Sequence, residues 1–215
     1  MHARLLALCA AALFSAAAAA QFAPPPIASN TPTGAAAGGN AAAVAPNGLP
    51  KDYQEFKARY QREATTPEGA LRMHMQAVFA YLNPATRAEA GKMLRYSMHW
   101  SKPIEQSHNH ATFVERLRHE EYHHIVRRYC QGTSPENSYQ AQPESCVLNA
   151  GKPYESDGFT KIQLHSSGAD NPRPMWLLNH DGLWYVENNV GLYVGVREPK
   201  AHRDARRNAH DADYD

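Results

Sequence analysis

The spacing of large apolar residues in this 215-residue chain changes period once, and that change sets the fold class. From Tyr53 to Tyr129 apolar side chains recur at helical intervals. From Cys146 to Val196 they fall in short runs separated by Gly, Asn, Asp and Pro. Helices followed by an antiparallel meander is the order of an α+β domain, in which one layer of helices covers one face of a curved sheet.

Four helices are expected in the first half. Asp52–Glu63 carries Tyr53, Phe56 and Tyr60 on one side. Thr66-Pro67-Glu68 is a helix start, with Thr66 as cap, Pro67 in the first turn and Glu68 near the positive end of the dipole. That helix runs through Leu71, Met75, Val78 and Phe79 to Leu82, where Asn83-Pro84 stops it. A third carries Ala88, Met93 and Leu94 and ends before Pro103. A fourth opens at Thr112 and is lined by Phe113, Val114, Leu117, Ile125 and Tyr129 up to Cys130. Strands are expected at Cys146–Leu148, Phe159–His165, Pro174–Leu178, Leu183–Glu187 and Leu192–Val196, with Asp181-Gly182 as a tight hairpin turn.

The flanks read differently. Met1–Ala20 has basic His2 and Arg4, an apolar run from Leu5 to Phe14 and small residues Ala18-Ala19-Ala20 before Gln21. This is the pattern of a secretory signal peptide cleaved after Ala20, and it predicts a periplasmic or secreted protein. The run is shorter than the roughly 20 apolar residues of a membrane span, and no longer one follows. Residues 21–50 are an Ala/Pro/Gly stretch expected to be a disordered linker, residues 51–198 one domain, and residues 199–215 a loose polar tail. Cleavage removes Cys9 and leaves Cys130 and Cys146, which in an oxidising compartment form a disulfide. It would close a Gly/Ser/Pro/Asn/Gln loop with little core of its own, a constraint of about 3 kcal/mol. With 22 Lys and Arg against 21 Asp and Glu, well mixed, there is no basic stripe for a nucleic acid.

Several strings are distinctive. They are Thr66-Pro67-Glu68-Gly69-Ala70, "GTSPENSY" at Gly132–Tyr139, "HSSGADNPRPMWL" at His165–Leu177, and the closing "LWYVENN" and "VGVREP". Over about residues 66–199 they resemble a bacterial family of exported domains known as a domain of unknown function, DUF6935. The resemblance implies an α+β domain of the NTF2-like, cone-shaped sort and implies no reaction.

The two loops also have a physical reading. Ser134, Pro135 and Asn137 favour a turn, and Asp170, Asn171, Pro172 and Pro174 fix the path of the second loop. Arg173 sits between two prolines, a stiff support suited to a bidentate grip on a carboxylate. That carboxylate is Glu136 or Asp170 within the protein, or one on a ligand. The candidate ligand-binding residues are therefore Arg173, Asp170, Glu136 and Asn137.

His119-Glu120-Glu121-Tyr122-His123 matches H-E-x-x-H, which on a helix lets two His share a zinc ion with the Glu as base. A helical wheel set on Phe113 places His119 and His123 at roughly 240° and 280°, on the polar side, with Arg116 and Arg127 nearby to repel a dication. Val126, at roughly 220°, lies at the edge of that polar face. No third ligand is nominated. The reading that follows is a non-enzymatic exported domain with no cofactor or metal, binding a small molecule or an envelope protein. A zinc-dependent hydrolase using His119, Glu120 and His123 is the alternative.

Overall fold

Asp52 and Thr66 start the first two helices by the same device. The computed structural model describes residues 48–212, so the expected signal peptide and nearly all of the expected linker lie outside the described residues. Helix α1 (Tyr53–Glu63) begins where the Asp52 carboxylate accepts the Glu55 N–H at 2.8 Å. Helix α2 (Pro67–Leu82) begins where Thr66 Oγ1 accepts the Gly69 N–H at 3.1 Å, with Pro67 in its first turn. Leu71, Met75 and Val78 are buried, and so are Met73, Ala77 and Tyr81 on the other side, so α2 is the central helix of the core. The turn between α1 and α2 is tight enough that a Cβ on Gly69 would stand 1.7 Å from the Glu63 carbonyl oxygen. Asn83 ends α2, its Oδ1 accepting the Ala85 N–H at 2.9 Å, and α3 (Arg87–Ser97) follows.

Strands β1 (Tyr154–Ser156), β2 (Phe159–Leu164), β3 (Arg173–His180) and β4 (Leu183–Asn188) form an antiparallel meander in that order. Asp181 and Gly182, with φ of 53° and 85°, make the two-residue turn between β3 and β4 that its sequence announces. Ile162 pairs with Met175 and Leu177 with Val186, and all four are fully buried on the face covered by α2. Tyr60 ties helices to sheet, its hydroxyl donating to the Trp184 carbonyl at 2.6 Å, while the Trp184 N–H donates to the Ala64 carbonyl at 2.8 Å. The opposite face carries the Lys161–Trp176 pair, the ammonium 4.6 Å from the indole centroid. The architecture is α+β.

Four local expectations are corrected. The fourth helix is not continuous: α4 (Ala111–Arg118) stops at His119, whose backbone is extended, a 3₁₀ turn spans Glu120–Tyr122, and α5 (His124–Arg127) follows. The break resets the helical phase. In an unbroken helix Val126 would lie about 220° from Phe113, off the core face; here it is buried, as is Ile125. Residues Cys146–Leu148 make no regular strand. Leu148 forms a single bridge with Cys130, beside the disulfide that joins Cys130 to Cys146. Residues Leu192–Val196 are not a fifth strand. A 3₁₀ turn covers Val190–Tyr193, and the buried Arg128 guanidinium takes carbonyls a strand would have used, Leu192 at 3.1 Å and Gly195 at 3.3 Å. Finally, Lys200–Ala212 forms α6 rather than a loose tail. Its first N–H groups find acceptors in an earlier loop, Lys200 on the Pro135 carbonyl at 2.8 Å and Ala201 on Ser138 Oγ at 3.1 Å.

Candidate functional site

The break at His119 removes the geometry that H-E-x-x-H needs. With His119 outside the helix, His119 and His123 do not project from one helical face at i and i+4. The His123 Nε2 proton points to the Leu117 carbonyl at 3.0 Å, which occupies the nitrogen and ties down one of the last carbonyls of α4. Burial holds this imidazole below the ordinary histidine range, and Arg127 and Arg87 push it the same way. Among the described residues no three His, Cys, Asp or Glu side chains converge as a metal centre requires.

The same break builds a different site. It turns Arg118, Glu120 and His123 toward a cleft of about 830 Å³ whose other walls are the end of α2, the start of α3, Pro143-Glu144 of the disulfide loop and Gly48–Lys51. Three guanidinium groups line it, each supported from a different element. Arg87 donates from Nε to the Tyr81 carbonyl at 3.1 Å and from Nη2 to the Leu82 carbonyl at 3.3 Å, capping α2, which has no basic residue in its own last turn. Its guanidinium lies 5.6 Å from the Tyr81 ring centroid. Arg118 ends α4 and reaches the Tyr81 hydroxyl, which itself donates to Glu105 at 2.8 Å. Arg127, on α5, is half-buried and its Nε is enclosed with no hydrogen-bond partner. Among the described residues Arg87, Arg118 and Arg127 make no ion pair, and neither do Glu120 and Glu144, the carboxylates on the wall. The lining, with Lys51, thus carries four cationic side chains against two anionic ones. Planar guanidinium donors on rigid supports, one with a donor unused, suit a carboxylate or phosphate ligand.

A family model described as a domain of unknown function, DUF6935, matches residues 48–200. The chain belongs to this family. No curated protein and no solved structure matches it. The DUF6935 match spans every residue that lines the basic cleft and stops where α6 starts.

Within the DUF6935 region the two motif loops do meet. Thr133 and Ser167 hydroxyls are 2.8 Å apart, the Arg197 N–H donates to the Gly168 carbonyl at 3.0 Å, and the Tyr139 hydroxyl donates to the Arg197 carbonyl at 2.7 Å. Their charged residues are differently partnered than the sequence suggests. Asp170 pairs with Arg197, and Glu136 pairs with Arg203 of α6 at 2.9 Å. Arg173 opens β3 with its Nε enclosed and unpartnered, and it grips neither carboxylate. Asn137 holds its own loop closed: its Oδ1 accepts the Ser134 N–H and its Nδ2 donates to the Gly132 carbonyl, both at 2.8 Å. Arg87 and Arg118 escape a reading based on motifs, because their convergence depends on segments far apart in the chain. Arg127 was visible only as a charge hostile to zinc, and that hostility is the signal: a basic neighbourhood that repels a cation accepts an anion.

Proposed function

We propose that this DUF6935 domain is an exported, non-enzymatic binding protein whose ligand is a small multivalent anion held in the Arg87–Arg118–Arg127 cleft. The observation that carries this reading is the set of three guanidinium groups, with no carboxylate partner among the described residues, around a cavity of ligand size. The signal-peptide pattern of Met1–Ala20 and the Cys130–Cys146 disulfide support a periplasmic or secreted site of action. The broken H-E-x-x-H segment gives no support to a hydrolase.

Citrate and inorganic phosphate are the probes. Calorimetric titration of the purified chain at low salt is expected to give saturable one-site binding that weakens as salt is added. Arg127→Ala is expected to weaken it by about tenfold or more, the loss of a charge-assisted hydrogen bond. Absence of saturable binding, or equal binding by Arg127→Ala, overturns the site. For the compartment, the mature protein is expected outside the cytoplasm with Gln21 at its N-terminus. Cytoplasmic protein retaining Met1 overturns that part.

A further inference from the structure

Two imidazoles from separate elements stand close together with their nitrogens unused. The first belongs to His99, just past α3. The Trp100 N–H donates to the Arg95 carbonyl and the His99 N–H to the Tyr96 carbonyl, both at 3.0 Å. This pair of bonds ends a helix through one left-handed residue, a place glycine usually fills because a Cβ is strained there. Here it holds His99, with φ of 52°. The second imidazole belongs to His180, the last residue of β3. It stands against the Asp181-Gly182 turn, where Asn179 Oδ1 accepts the Gly182 N–H at 3.1 Å. A helix end and a hairpin thus present the two side chains on rigid supports.

Their ring centroids are 4.9 Å apart with the planes at 78°, and the Tyr185 ring lies 4.7 Å from the first and 6.0 Å from the second. Imidazoles that share a metal ion at about 2.1 Å from each nitrogen have centroids roughly 4.5–5.3 Å apart. Both residues are exposed, so each ring can turn about its last torsion to aim a nitrogen at a common point. His74, His110, His123 and His124 instead spend ring nitrogens on Ser97, Ser107 and the Leu117 and Glu121 carbonyls. Among the described residues neither His99 nor His180 uses its ring in a hydrogen bond or an ion pair. No third His, Cys, Asp or Glu joins them there, so the pair makes an open site and not a closed structural centre. It shares no residue with the basic cleft.

We propose that His99 and His180 together bind one divalent transition-metal ion, Cu²⁺ most tightly, with water in the remaining positions. Imidazole nitrogens without carboxylate partners select Cu²⁺, Ni²⁺ and Zn²⁺ over Mg²⁺ and Ca²⁺, and Cu²⁺ heads that series in affinity. A ligand role also accounts for a histidine kept where glycine would relieve the backbone.

The probe is Cu²⁺, titrated by calorimetry into the purified, chelator-treated chain with glycine present as a weak competitor, and the histidine ring signals are followed by NMR. The paramagnetic ion is expected to broaden the His99 and His180 signals first, and Zn²⁺ is expected to bind more weakly than Cu²⁺. His99→Gly suits the left-handed position and His180→Phe keeps a ring beside Tyr185, so both variants are expected to melt close to the parent. Each is expected to bind Cu²⁺ about tenfold or more weakly, because the second imidazole's contact is intramolecular. His119→Ala, at an exposed histidine elsewhere, is expected to bind as the parent does. Unchanged affinity in His99→Gly or His180→Phe, broadening that begins at other histidines, or tighter binding of Zn²⁺ than of Cu²⁺ overturns the proposal. Citrate and phosphate stay out of these titrations, so failure here is distinguishable from failure of the basic cleft.

Discussion

Replacing Gly69 by Ala opposes two effects of known sign. Alanine in place of glycine inside a helix is favourable by about 1 kcal/mol from backbone entropy alone. At Gly69 the new methyl would stand 1.7 Å from the Glu63 carbonyl oxygen, a backbone atom that moves only if the last turn of α1 moves. Overpacking of this kind costs about 1–3 kcal/mol. The displacement also pulls apart the 3.1 Å bond from the Gly69 N–H to Thr66 Oγ1, a cap whose loss costs about 1 kcal/mol. The net is a destabilisation of about 2 kcal/mol, or a melting temperature lower by about 4–8 °C for a chain of this size. Gly91→Ala is the internal control. It lies in the middle of α3, where the nearest atom to a new Cβ is Glu105 Oε1 at 3.2 Å, the end of a side chain that accepts the Tyr81 hydroxyl and has to shift by a few tenths of an ångström. It is expected to be clearly less destabilising than Gly69→Ala, because a side chain and not a backbone carbonyl has to give and the entropy term favours alanine. Urea unfolding of the two variants beside the parent measures both. If Gly69→Ala unfolds at a higher urea concentration than the parent, the close approach of α1 to α2 described above is wrong.

Two further outcomes are expected. Removing the disulfide by Cys130→Ser with Cys146→Ser is expected to cost about 3 kcal/mol and to raise amide exchange in Gly132–Tyr139 before the β3–β4 hairpin; simultaneous exchange of loop and hairpin refutes the assignment of the staple to the loop. Acidification is expected to destabilise the fold. Burial lowers the His74 pKa to about 3, whereas the unfolded ring titrates near 6.5, so between these values the unfolded chain binds the extra proton. Stability is then full above pH ~6.5 and falls as pH drops, by at most about 1.4 kcal/mol per unit for this one group. His110, His123 and His124 are shifted down mainly by the same burial, so His74→Gln reduces the slope measured by denaturation at stepped pH without abolishing it. A slope unchanged in His74→Gln refutes the role given to that ring.

What the sequence revealed was what its neighbours along the chain decide. Asp52 and Thr66 cap helices through N–H groups three residues away, and Asp181-Gly182 turns a hairpin within itself; such effects are readable in a short window. The break at His119 was not visible: Val126 at the edge of the polar face is compatible with a continuous helix, and phase alone does not say where a helix parts. The missing fifth strand was not visible, because Arg128, more than sixty residues upstream, takes the Leu192 and Gly195 carbonyls. Nor was the cleft: Arg87 and Arg118 are spaced like any solvated charges, and only the packing of α2, α3 and the broken helix brings them to one wall. The motif loops show the converse. Their strings identified the family, while their charged residues found partners, Arg197 and Arg203, that no local pattern singles out.

The start of α6 has one more consequence. Helix α6 is polar along most of its length and short, so on its own the unfavourable first turn would keep it largely unwound. That turn is supplied from outside, by the Pro135 carbonyl and the Ser138 hydroxyl, both inside the loop that the disulfide ties shut. The bridge therefore acts at a distance as a template for winding the end of the chain. Cutting it leaves every residue of α6 chemically intact but takes away the mould, so the helical signal in far-ultraviolet circular dichroism reports the oxidation state of two cysteines that belong to no part of that helix.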